Sequence, residues 1–372
     1  MKWIDRQDAL DAAMGSLGAQ PQIAVDTEAD SLHSYFDKVC LIQISVPGED
    51  LIVDPLAKVD LHLFGALLAN PAVTKIFHGG DYDLRIMHRD FGFVVRNLVD
   101  TSICAQLLGY EAIGLAALLE RHFGVKLNKT HQRADWSMRP LTPDMLAYAA
   151  TDTHHLAALA AKLHEELTAL GRWEWALEEF ARLETVRHRE NDEDVEPWRK
   201  VKNIGSLDPR SLAVVRDLYE WRDKLARKAD RPPFKVLGND AIVELAKAKP
   251  ASTRELPNVK ALARFHADRY GREIVQIVRG VLELEEGALP EKNPPKPWIR
   301  DKSLEARIDR LKRVRDRVAK ELKIDPSVLA ARHILAGVAT SGTLEVPAMR
   351  EWQKKVIGDA LLAALEPERK LF

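Results

Sequence analysis

Residues 21–30 read Pro-Gln-Ile-Ala-Val-Asp-Thr-Glu-Ala-Asp, an apolar run that ends in two acids spaced by two. In a β-strand residues i and i+2 leave the same face, so Asp26 and Glu28 point together. Paired carboxylates repel, and at the end of an otherwise buried strand a cation would neutralise them; oxygen donors suit Mg²⁺ or Mn²⁺. The same stretch also reads as a strand running out into a solvated acidic loop, so further acids must decide. Two more stand at element junctions. Asp83 follows the apolar Lys75-Ile-Phe-His78 and the Gly79-Gly80 pair, where a strand turns into a helix, and Asp152 lies on a helix one turn after Tyr148 and on the same face. Singly, an acid in a first helical turn only complements the helix dipole. Together, Asp26, Glu28, Asp83 and Asp152 could hold two divalent ions about 4 Å apart, which activate a water and stabilise the leaving oxygen of a phosphodiester without a covalent nucleophile. Tyr148 would hold that water in line.

The elements that must position these groups follow from periodicity. Residues 4–18 have helical spacing and precede the strand that ends at Asp26. Val39–Val46 and Leu51–Asp54 are apolar runs joined across Pro47-Gly48, a hairpin signal. A helix over about 60–69 and a strand over 75–78 complete an α/β layout with mixed strand directions. The chain then turns almost wholly helical. Asp100-Thr-Ser caps a helix reaching Tyr110, and Gly114–Phe123 forms another that Gly124 ends. Residues 126–141 lack periodicity and read as an ordered loop, after which Thr142-Pro143 opens the long helix of Tyr148 and Asp152.

A chain of 372 residues exceeds the usual size of one domain. Its charge is unevenly spread: residues 1–170 hold 14 Lys and Arg against 22 Asp and Glu, and the remainder 41 against 34. Acids thus collect around the suspected metal site, while the basic second half is compatible with phosphate contacts or with solvated helix surfaces. No apolar run approaches a membrane span, and the first residues lack a signal-peptide pattern, so the cytoplasm is expected. Cys40 and Cys104 fall in apolar patterns and read as buried thiols, which leaves no zinc site or disulfide framework.

The polar segment 187–200 reads as a linker or exposed helix end, and the proline-rich 285–298 cannot be a continuous helix. Between and beyond these breaks, residues 205–285 and 303–368 are amphipathic and align at an offset of 93: Arg222-Asp223 with Arg315-Asp316, Pro233 with Pro326, Ala246 with Ala339. Two copies of a small helical bundle account for this.

Asp26-x-Glu28, His78-Gly-Gly-Asp-Tyr-Asp83-Leu and Tyr148-x-x-x-Asp152 resemble the three exonuclease motifs of the DEDD superfamily in its tyrosine-bearing branch, and most closely the ribonuclease D family. Val39-Cys-Leu-Ile-Gln-Ile and Asp135-Trp-Ser-Met-Arg-Pro-Leu-Thr resemble further stretches of that family, and the two C-terminal repeats resemble HRDC domains. The resemblance implies a ribonuclease H-like α/β exonuclease domain over 1–190, followed by two all-α helical-bundle domains, an HRDC domain over 205–285 and an HRDC-like one over 303–372. It further implies a metal-dependent 3′→5′ exoribonuclease that releases nucleoside 5′-monophosphates from RNA with a free 3′ end, such as tRNA precursors. Asp26, Glu28, Asp83 and Asp152 would bind two Mg²⁺ or Mn²⁺ ions and Tyr148 would orient the water, in a monomer independent of membranes. A DNA exonuclease of the same superfamily, or an inactive RNA-binding protein that keeps the fold, is the alternative.

One departure from the family pattern is Ala29, where many relatives carry an aromatic residue; Leu32, His33, Tyr35 or Phe36 could replace that contact to the terminal nucleotide. Other residues admit two readings. Arg133 and Arg139 precede the catalytic helix and could contact phosphate or fix the loop by ion pairs. Trp136 could stack on a base or anchor the loop as a buried aromatic. His78 reads as packed or hydrogen-bonded, and His154 and His155 as helix-surface residues.

Overall fold

A computed structural model of the chain describes residues 1–128, 130–189, 196–292 and 301–365. The centres of the two expected interdomain breaks, 190–195 and 293–300, lie outside the described residues. Two compact units emerge, one of Met1–Ala29, Val39–His188 and Arg300–Phe372, the other of Asp30–Lys38 and Arg189–Ile299. Among the described residues no helix is long and apolar enough to cross a membrane.

The first unit is built on six strands, β1 (Lys2–Ile4), β2 (Gln22–Ala29), β3 (Val39–Val46), β4 (Glu49–Val53), β5 (Thr74–Phe77) and β6 (Leu98–Asp100), in the order β1-β4-β3-β2-β5-β6. β3 runs antiparallel to β2 and β4, whereas β5 is parallel to β2 and β6, the expected mixed sheet. Seven of the eight residues of β3 are buried, the mark of a central strand covered on both faces rather than an alternating half-exposed one. Asp26 pairs with Gln43 and Glu28 with Leu41, and the register shifts between Glu28 and Ala29, so the ladder is broken where the acids lie.

Helices α1 (Gln7–Leu17), α2 (His62–Ala69), α3 (Asp81–Phe91), α4 (Thr101–Leu108), α5 (Leu115–Phe123), α6 (Pro143–His154), α7 (Leu156–Ala169) and α8 (Trp173–Leu183) flank the sheet. Of the helix read over 4–18, α1 holds Gln7–Leu17, while Ile4 belongs to an edge strand that the reading did not include: Lys2–Ile4 pair in parallel with Leu51–Val53. Three residues are too few to show a period of two, and the same holds for β6. The cap signals act as read. Thr142 Oγ1 accepts from Met145 N at 3.2 Å, and Asp100 accepts from Ser102 N and Ile103 N at 2.8 and 3.1 Å.

In the second unit, α9 (Pro209–Lys228), α10 (Pro233–Val236), α11 (Asn239–Ala248) and α12 (Arg264–Leu282) enclose their own apolar core. Helices α13 (Lys302–Leu322), α14 (Pro326–Leu329), α15 (Arg332–Ser341) and α16 (Glu351–Leu365) repeat that plan. The first three start 93 residues after α9, α10 and α11. An equivalent bond recurs at that offset: Arg222 Nη1 donates to Leu237 O and Arg315 Nη1 to Ala330 O, each at 3.0 Å.

The last four helices share one core with the sheet unit. Arg172 donates to Leu107 O at 2.8 Å and to Leu322 O at 2.7 Å, and Trp175 stacks on Trp352 with centroids 4.7 Å apart. Gly109, at φ 82°, abuts Lys323 O so closely that a Cβ would sit 1.7 Å from it.

Asp100 carries a second duty. Its carboxylate also accepts from Gly79 N at 3.1 Å and Gly80 N at 2.8 Å, tying the glycine turn before α3 to the start of α4. Asp100→Ala is expected to cost about 2 kcal/mol, the upper end for a helix cap, because the turn is released with it. Chemical denaturation measures this, and an unchanged midpoint would contradict the anchoring role.

Candidate active site

Three elements bring the predicted residues to one cleft. β2 contributes Asp26, Thr27 and Glu28, the start of α3 contributes Tyr82 and Asp83, and α6 contributes Tyr148 and Asp152. His78 and Gly114–Ala117 complete the walls with Leu127, Asn128 and Gln132, around a volume of about 620 Å³. β2 can serve this purpose because its first half, Ile23–Val25, is fully buried and fixes the strand end. Asp83 is held from the strand: Thr27, of opposite parity to the two acids, donates its hydroxyl to Asp83 Oδ1 in a short bond.

Burial is the dominant electrostatic fact. Asp83 is 7 % exposed, and loss of hydration raises its carboxyl to about 6, against the pull of the Thr27 hydrogen bond. Glu28 is pushed up to about 9 by burial and by Asp152 and Asp83. Asp152 is pushed up to about 7 by burial, which the nearby Tyr148 hydroxyl partly offsets. Asp26 is driven well above the ordinary carboxylate range by burial and then by Asp83, Asp152 and Glu28. Burial also raises the Tyr148 phenol, with the acids adding to it, so it stays protonated as a hydrogen-bond donor.

The donor set fits a hard divalent cation. Elsewhere buried acids have donors to offset them: Asp54 is paired with Arg139 and Asp30 with Lys38, each at 2.6 Å, and Asp100 accepts from four backbone N–H groups. Among the described residues no Lys, Arg or His forms an ion pair with Asp26, Glu28, Asp83 or Asp152. Among the described residues no group of three or more His, Cys, Asp or Glu side chains is already drawn together tightly enough to hold a metal ion. The cleft offers carboxylate oxygens on an open wall, which suits an ion shared with a substrate phosphate better than a structural ion sealed by protein.

Comparison with known proteins agrees with this chemistry. Residues 1–168 match the family model described as 3′-5′ exonuclease, and residues 211–278 that of the HRDC domain. The chain is 30% identical to the ribonuclease D of Nitrobacter hamburgensis, over 98% of its own length and 94% of that protein. It is 31% identical to the ribonuclease D of Pseudomonas paraeruginosa, over 98% of each. The chain belongs to the ribonuclease D family. It is a 3′→5′ exoribonuclease, and the family implies use of a divalent metal. The crystal structure of Escherichia coli RNase D, an exoribonuclease involved in structured RNA processing, is similar at a TM-score of 0.69, with 29% identity over 98% of both chains.

Not every residue expected at the site of this ribonuclease D-family enzyme reaches it. Trp136 is only 1 % exposed, so it cannot stack on a base; its ring packs 5.9 Å from that of Tyr148 and backs the tyrosine. Arg139 is likewise spent on the fold. It grips Asp54 through Nε and Nη2 at 2.7 and 2.6 Å and donates to Cys40 O and Trp136 O at 2.8 Å, so the phosphate reading gives way to loop fixing. Arg133 is exposed on the same loop. His78 is hydrogen-bonded, as read, to Thr101 Oγ1 at 2.9 Å, while also lining the cleft. Leu32, His33, Tyr35 and Phe36 belong to the second unit, where Tyr35 donates to Asp223 at 2.8 Å and Arg227 lies over both aromatic rings. Thr27 and the anchoring duty of Asp100 escaped the sequence reading. Position alone could have flagged Thr27, since it stands between the two acids.

These raised proton affinities make stability depend on pH. Each carboxyl titrates higher in the folded chain than in the unfolded one, so the native state keeps protons that the unfolded state releases above about pH 4. The stabilisation is complete below that pH and is lost as pH rises through about 6, 7 and 9, the positions of Asp83, Asp152 and Glu28. In chelator, Tm should therefore fall from about pH 5 to pH 9, and excess Mn²⁺ should flatten the trend because the cation favours the ionised acids. A Tm that holds level or rises over this range in chelator would contradict the clustering.

Proposed function

We propose that this exoribonuclease trims the 3′ ends of structured RNA, tRNA precursors among them, one nucleoside 5′-monophosphate at a time, as a cytoplasmic monomer. The observation that carries the reading is the gathering of Asp26, Glu28, Asp83 and Asp152 with Tyr148 around one open cleft. Two divalent ions, Mg²⁺ or Mn²⁺, held by these four acids would supply Lewis acidity to the attacking and leaving oxygens of the phosphodiester. Tyr148, kept protonated by its surroundings and backed by Trp136, orients the attacking water through its hydroxyl. Exposed Arg133 contacts a substrate phosphate. The exonuclease domain spans residues 1–190; residues 205–285 form an HRDC domain and 303–372 an HRDC-like one docked on the first. E. coli RNase D is described as acting in structured RNA processing, and similarity over 98% of both chains supports a structured substrate here.

Asp26→Ala and Asp83→Ala should each abolish release of mononucleotides from 3′-tailed RNA in Mn²⁺ or Mg²⁺, and should leave Tm in chelator equal to or above wild type, since a repelling charge is removed. Near-wild-type hydrolysis by either variant in excess metal would sink the assignment. Matched DNA run in parallel decides the sugar preference: equal rates on DNA would remove the RNA-specific reading.

Tyrosine and acids should separate cleanly. Tyr148→Phe loses one orienting hydrogen bond, worth about 2.7–4 kcal/mol by comparison with oxyanion-hole deletions, so kcat should drop roughly 10²–10³-fold. Its Mn²⁺ affinity by calorimetry should stay near wild type, whereas Asp152→Asn should weaken it. Equal loss of Mn²⁺ binding in both would assign the tyrosine to metal support instead.

A further inference from the structure

Strand β3 is apolar except at Gln43 and Ser45. Gln43 is 0 % exposed, and neither Oε1 nor Nε2 has a hydrogen-bond partner among the described residues. A primary amide brings two donors and an acceptor, and buried polar atoms in native proteins are almost always satisfied. An amide left wholly unpaired at the centre of a sheet needs a reason.

Its neighbours narrow the choice. Gln43 pairs with Asp26 across the β2–β3 ladder and with Ile52 across the β3–β4 ladder. This is the face covered by α6, since Ser45, two residues on, shares a 2.7 Å hydrogen bond with Thr153 of that helix. Trp136, packed with Leu41 and Ile52 on this face, also has an unpartnered Nε1, but an indole N–H can serve only the amide's Oε1 and not its donor Nε2; the remaining polar groups close by are engaged. Ser45 also donates to Asp50 at 2.7 Å, Asp50 is held by His154 at 2.9 Å, and Asp54 by Arg139. Ile52 and Leu41 offer nothing polar. Among the described residues Asp26 and its diagonal neighbour Glu28 have no basic partner, and directly opposed side chains in an antiparallel pair lie about 4.5–5.5 Å apart at Cβ. The amide of Gln43 is therefore within reach of the Asp26 carboxylate.

We propose that Gln43 is a positioning residue for Asp26: its Nε2 donates to one oxygen of the ionised carboxylate and so turns the other towards the cleft. The inference rests on the reading of Asp26 as a metal-binding acid. It accounts for a costly buried amide beneath α6 where a leucine or methionine would pack as well. Gln43 touches neither RNA nor metal; it acts through Asp26.

Gln43→Met and Gln43→Leu, compared with wild type, Asp26→Ala and the Asp26→Ala/Gln43→Met double variant, test this in the full-length chain. Removing an unpaired amide should leave Tm in chelator the same or higher. Loss of an orienting partner next to a metal ligand should weaken Mn²⁺ binding by calorimetry and lower kcat, each by about 10–100-fold, while KM for the RNA is unchanged. In the double variant the Mn²⁺ affinity should match that of Asp26→Ala, because the second change has nothing left to act through. Wild-type kcat and Mn²⁺ affinity in the methionine and leucine variants would overturn the proposal. So would a marked fall in Tm, which would give the amide a structural duty, or additive losses in the double variant. Full activity of Asp26→Ala would instead overturn the assignment of the acids on which the proposal stands.

Discussion

Four carboxylates share one cleft, where among the described residues no basic side chain is paired to them, and the first unit is arranged around that repulsion. Burial lifts each acid above its ordinary range before any neighbour is counted, and the other acids lift Asp26 and Glu28 further. A fold keeps such a destabilising cluster only where a cation can settle it, and hard oxygen donors on an open wall favour a divalent ion that also touches substrate phosphate. The ribonuclease D family puts that arrangement to use in taking nucleotides from RNA 3′ ends.

Rigidity around the cleft comes from residues that never touch the chemistry. Asp100 ties the Gly79-Gly80 turn to α4 and so fixes where Asp83 begins its helix. Arg139 bolts the 124–142 loop to Asp54 and to the backbone of β3, and Trp136, carried on that loop, backs Tyr148. These two were the natural candidates for gripping RNA because of their residue types. Instead their buried or bidentate contacts are the price of holding a tyrosine still over an acidic cleft.

Much of this is legible in the sequence. The Asp26-x-Glu28 strand end, the glycine turn before Asp83 and the Tyr148/Asp152 helical turn each rest on a local rule, two-residue alternation or one-turn spacing, and local rules survive folding. β1 and β6 were not legible, since three residues carry no period and are strands only because β4 and β5 offer edges. Partner choice was equally hidden: nothing in the order of residues says that Arg139 meets Asp54, 85 positions away. The end of the chain shows the same limit. An offset of 93 residues exposes the repeat, yet not that α13–α16 share their core with the sheet unit through Trp175, Trp352 and the close approach at Gly109. Cutting the chain near residue 200 would thus strip apolar cover from the catalytic unit rather than remove a detachable tail.

The central claim is that the four acids form one divalent-cation site. Its most direct test is anomalous diffraction from crystals of the wild-type chain soaked in Mn²⁺. The account predicts manganese peaks within bonding distance of Asp26, Glu28, Asp83 and Asp152 and beside the Tyr148 hydroxyl. A cleft without a peak at saturating Mn²⁺, or manganese bound only at other acids of the surface, would contradict it.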